Sequence, residues 1–80
     1  MTDLYSAADD RETLRQAATA HTAATRDVEL FLRRLPAVPA PADVTEYANL
    51  LTRERQTRAD REAAADTAGL TIASLGPGAG

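Results

Sequence analysis

The chain has 80 residues, a formal charge of −3 and 44% hydrophobic residues, with no cysteine and no lysine. That is one small domain at most, without disulfides, thiolate metal sites or a cysteine nucleophile. The weakly acidic balance argues against a dedicated binder of nucleic acid or of an anionic membrane, which would carry a net basic face.

The first element is expected to be one long amphipathic helix, from about residue 3 to 35. Leu14, Ala17, Ala18, His21, Ala24, Val28, Phe31, Leu32 and Leu35 recur at gaps of three and four, so they share one stripe of a 3.6-residue period. Thr2 is the expected cap and Ser6 the alternative start. Asp9, Asp10 and Glu12 place negative charge in the first turns, where the helix dipole favours it. Glu29 and Arg33 form an i,i+4 pair in the favourable order. Pro36 stops the helix, because the residue before a proline is pushed out of the α region.

The link reads Leu35-Pro36-Ala37-Val38-Pro39-Ala40-Pro41. Prolines at this density make a semi-rigid connection, which predicts a fixed hairpin with Val38 plugging its end. Asp43, followed three places later by Glu46, is expected to cap a second helix over about 43–68. Gly69 ends that helix as a C′ residue. Val44, Tyr47, Leu50 and Leu51 give its first part an apolar face. Its middle, Arg53 to Glu62, has only Ala59 as an apolar residue, and Glu54, Arg58 and Glu62 read as a solvated i,i+4 ladder.

The expected architecture is therefore all-α: two long antiparallel helices in residues 1–68, then a C-terminal apolar arm and flexible tail in residues 69–80. Leu14, Val28, Phe31, Leu32 and Leu35 are expected to pack with Val44, Tyr47 and Leu51 near the link. Leu30, Leu50 and the arm residues Leu70, Ile72 and Leu75 remain in surplus, and uncovered apolar groups mark interaction surfaces. Eighteen of the thirty-five hydrophobic residues are alanine. A buried Leu, Val or Phe stabilises by roughly 1.5–3 kcal/mol and Ala by far less, so an isolated monomer is expected to be marginal.

Signals for chemistry are sparse. His21 is the one histidine, and the stripe around it supplies no further metal ligand. Asp9, Asp10 and Glu12 point in different directions and lack calcium-loop spacing. Glu54, Asp60 and Glu62 interleave with Arg53, Arg55, Arg58 and Arg61 and cancel much of their field. There is no P-loop, GxGxxG or GxSxG, so neither cofactor nor catalysis is expected. No apolar run approaches the ~20 residues of a membrane span, and no secretory signal is visible. Cytoplasmic residence is the default, with incorporation in a particle or signal-less export left open.

In outline, two long helices and a short link, the chain resembles the small helical-hairpin proteins of type seven secretion. The Trp-x-Gly of their turn is absent, and Leu35-Pro36-Ala37-Val38 stands there instead. Small helical subunits of virus particles and antitoxin-like or adaptor hairpins share the same outline, and no residue selects among them. The expectation is a non-enzymatic assembly or adaptor subunit with protein partners or self-association. The alternative is a regulatory, nucleic-acid-associated module using the Arg-rich face of the second helix.

Overall fold

A computed structural model describes residues 3–70, with side chains from Ala7 onward. It is an all-α hairpin of two antiparallel helices, α1 (Asp3–Arg33) and α2 (Pro41–Thr67), packed along each other. Because α1 begins at Asp3, a start capped by Ser6 is overturned; Thr2 lies outside the described residues. The last turn of α1 tightens, with the Arg34 amide donating to the Phe31 carbonyl and that of Leu35 to Leu32. This closure satisfies carbonyls that the helix leaves open at its end.

The start of α2 corrects the expected cap. Ala40, in an extended conformation, is the N-cap, and Pro41 opens the helix. Proline suits that place because its fixed φ is already helical and its missing N–H would have had no intrahelical partner. Asp43 stands at the third helical position, where its carboxylate accepts from the Ala40 amide at 2.8 Å. It therefore performs the returning half of a capping box. Alanine, with no side-chain acceptor, cannot supply the other half. The prolines on this side moved the helix start two residues ahead of the aspartate.

At the far end Gly69 adopts φ +85. Its amide donates to Asp66 and the Leu70 amide to Ala65, at 3.0 and 2.7 Å. This is a Schellman closure, which requires the left-handed conformation that glycine adopts without a Cβ penalty.

The residues of α1 withdrawn from solvent fall mainly at positions 7, 10, 14, 17, 21, 24, 28, 31 and 35, with Ala18 and Asp27 at the margins. On α2 the corresponding series is 43, 47, 50, 54, 57 and 64, continued by Ala68 just past its end, with Glu46, Leu51 and Ala65 at the margins. Gaps alternating three and four, broken on α2 where Arg61 is exposed, define a straight seam between the helices. Among the described residues only Ala24, Phe31 and Ala64 are buried outright. The remainder of the seam is half-buried, and on α2 much of it is polar: Asp43, Glu54 and Thr57 occupy seam positions.

Candidate interaction surface

The link end is held by one aromatic cluster. Phe31, only 2% exposed, stacks on Tyr47 with ring centroids 5.7 Å apart and planes 17° apart. Arg34 lies over the Phe31 ring, 5.1 Å from its centroid, and reaches across to Glu46 at 2.6 Å. The guanidinium thus meets an aromatic face and a carboxylate together, which suits its planar, weakly hydrated cation. Two turns along, Arg53 pairs with Asp27 at 2.5 Å. Both ion pairs are roughly half exposed, so each contributes little, on the order of 0–1 kcal/mol. Their main effect is to fix which residues of the two helices face one another.

Farther along, His21 Nε2 lies 2.9 Å from Glu54 Oε2. Their side chains are 13% and 21% exposed. Hydrogen bonding from His21, reinforced by the charges of Arg58, His21 and Arg55, holds the Glu54 carboxyl below its ordinary value of 4.5, against an opposing desolvation. A carboxylate that accepts a hydrogen bond and sits among cations favours its charged form. Arg58 also approaches Glu54, at 3.6 Å. The expected solvated ladder is therefore redirected: Glu54 points into the seam and meets the histidine of the other helix. The sequence contained a usable signal, because Tyr47, Leu50, Glu54 and Thr57 keep the three-four spacing through the polar stretch.

Five of the threonine hydroxyls are occupied locally. Thr19, Thr25, Thr45, Thr52 and Thr57 each donate to the carbonyl four residues back. Thr25 in particular bonds the His21 carbonyl and not its ring. Among the described residues no three His, Asp or Glu side chains converge as metal ligands, and no helix is long and apolar enough to cross a membrane. A surface depression of about 390 Å³ lies beside Arg15, Ala18, Thr22 and Arg26; its described lining comes from α1 alone and cannot enclose a ligand.

The sequence-derived interaction residues divide into three groups. Leu14, Val28, Leu35, Tyr47 and Leu51 are half-buried along the hairpin and Phe31 is its buried anchor. Leu32 and Val44, expected inside the hairpin, are instead 47% and 62% exposed. Each stands one place past a seam position, 31 or 43, and so is rotated about 100° off it. Leu70 is 60% exposed, whereas Ile72 and Leu75 lie outside the described residues. Val38 does not plug the link: it is 84% exposed. Leu50 is no surplus residue, since it takes a half-buried seam position, while Leu30 stays at the surface. On the Arg-rich face, Arg53 and Arg58 are engaged with Asp27 and Glu54, which leaves less unpaired positive charge than the bare sequence suggests.

Comparison with known proteins adds no relative: no protein-family model, curated protein or solved structure matches the chain.

Proposed function

We propose that the chain is a non-enzymatic assembly or adaptor subunit, working by coiled-coil-like helix packing against a protein partner. One observation carries this reading. Leu30, Leu32, Val38, Val44 and Leu70 are all exposed, while the outright core among the described residues is Phe31 with two alanines. A hairpin with so little interior and so many large apolar groups outside gains most from burying them elsewhere. The half-buried, partly polar seam agrees with a protein that chooses a register rather than one that maximises its own stability.

The test is photocrosslinking in cells, with a photoreactive residue placed singly at positions 32, 44 and 70, and at Gln56 on the exposed face of α2 as the control. A subunit gives discrete adducts of defined mass at the apolar sites and not at position 56. Only uncrosslinked monomer at every site refutes the proposal.

A further inference from the structure

The two flanks of the seam differ, and the difference identifies what covers the apolar one. Asp27, Arg34, Glu46 and Arg53 each stand one place before a seam residue, and they pair across the helices. Like positions of an antiparallel pair thus meet on one side, and that side is closed by charge. The opposite flank belongs to the residues one place after the alternate seam positions 24, 31, 43, 50 and 57. Near the link these are Leu32, Val44 and Leu51, with Leu32 and Val44 exposed. No charge enters this flank until Arg58, in the open half of the hairpin. A two-helix hairpin needs only the seam to be apolar. An apolar seam widened along one side is the pattern of a helix that faces a bundle core.

The arm residues Ile72 and Leu75 of the same molecule cannot reach the link end of this flank. Val44 lies ~35 Å from the end of α2 along the helix, at about 1.5 Å per residue. Ile72 and Leu75 follow Leu70 by two and five residues. Even fully extended, five residues span at most ~17 Å.

Building on the assembly reading above, we infer that the occupant is a second copy of this chain. Two hairpins pack through the flank of Leu32, Val44 and Leu51, link half against link half, to form a four-helix bundle. Self-pairing follows from the composition of the flank. It is uncharged at the link half, so two copies related by a twofold axis meet without opposing like charges. It also continues the seam already formed between α1 and α2, so the shared core extends without a break. The ion-pair flanks stay outward, in water.

Sedimentation velocity on the full chain is the direct test, over about 1 to 300 µM, a range that spans Kd values near −8 to −5 kcal/mol of binding free energy. The wild type should pass from monomer to dimer across that range. The double substitution Leu32→Glu with Val44→Glu should weaken dimerisation on the order of tenfold or more, and Gln56→Glu, on the exposed face of α2, should leave it unchanged. Should the double variant lose helicity, single cysteines in this cysteine-free chain decide: Val44→Cys should form a disulfide-linked dimer much faster than Gln56→Cys. A wild type that stays monomeric, a dimer indifferent to the double substitution, or equal crosslinking at 44 and 56 overturns the inference. A monomer in isolation that still gives heavier, discrete adducts at positions 32 and 44 in cells means a different protein covers the flank; the assembly reading then survives and the self-pairing does not. No adduct in cells and no dimer in isolation removes both.

Discussion

Phe31→Ala is the most informative single change in this hairpin. The ring is 2% exposed and is, among the described residues, the one large side chain buried outright. Truncating a buried Phe costs about 3–5 kcal/mol, from lost transfer energy and the cavity left behind. Two slender helices with an open flank can close partly around the void, which favours the lower figure. The stack on Tyr47 and the Arg34 contact are lost with the ring and are included in that cost, at roughly 0.5–1.5 and 0.5–1 kcal/mol. Phe31→Leu separates them: it keeps an apolar filling and forfeits the aromatic contacts, for about 1–2.5 kcal/mol. For a domain of this size, 3 kcal/mol corresponds to a fall in Tm of roughly 12–24 °C, enough to abolish a cooperative transition in a marginal fold. Thermal melts followed by circular dichroism at one fixed concentration are the assay, with Leu30→Ala as control, expected within about 0.5 kcal/mol of wild type. Phe31→Ala and Leu30→Ala melting together would refute the idea that the link-end cluster anchors the hairpin.

Three further outcomes follow from the described contacts. The Glu54 carboxyl is held below its ordinary value in the folded chain, so its contribution is present above about pH 4.5 and is lost as the pH falls through the lowered folded value; acid titration of the melt should show this loss in the wild type and a flatter profile in Glu54→Gln, and identical profiles would disprove the linkage. Replacing Pro36, Pro39 and Pro41 together by glycine should destabilise by about 0.4–1 kcal/mol per compatible site through greater unfolded-state entropy; an unchanged Tm would show that the prolines do not constrain the link. Gly69→Ala meets no atom within 4 Å but sits at φ +85, so backbone strain alone should cost on the order of 1 kcal/mol, and an unchanged melt would count against the Schellman closure.

The hairpin was legible because its strongest signals are local. Apolar residues from Leu14 to Leu35 kept a helical period, three prolines broke the chain once, and Gly69 ended the second helix. The errors arose where a side chain could serve more than one role. Asp43 carries a cap residue's chemistry at the third helical position as well as at the first, and only the proline-fixed start of α2 decides between them. Leu32 and Val44 belong to a broad apolar stripe, but the narrow seam of two antiparallel helices excludes positions about 100° away. Glu54 looked solvated because its sequence neighbours are charged; its true partner, His21, is set by the register of the pair. That register depends on tertiary contacts such as Arg34–Glu46 and Arg53–Asp27, which local periodicity does not encode.

The uneven seam also fixes an order of assembly for the chain itself. Phe31 and Tyr47 are joined by a short link already narrowed by proline, so bringing them together closes a small loop at little entropic cost. Contacts nearer in sequence form first, and here they are also the bulkiest. From that clasp the helices zip toward the open end, through the His21–Glu54 layer and on to Ala64 and Ala68. Each later layer returns less, because alanine and threonine replace phenylalanine and tyrosine. Amide hydrogen exchange should therefore be slowest beside Phe31 and Tyr47 and quicken steadily toward Ala7 and Ala68, a gradient of opening energies along one continuous pair of helices.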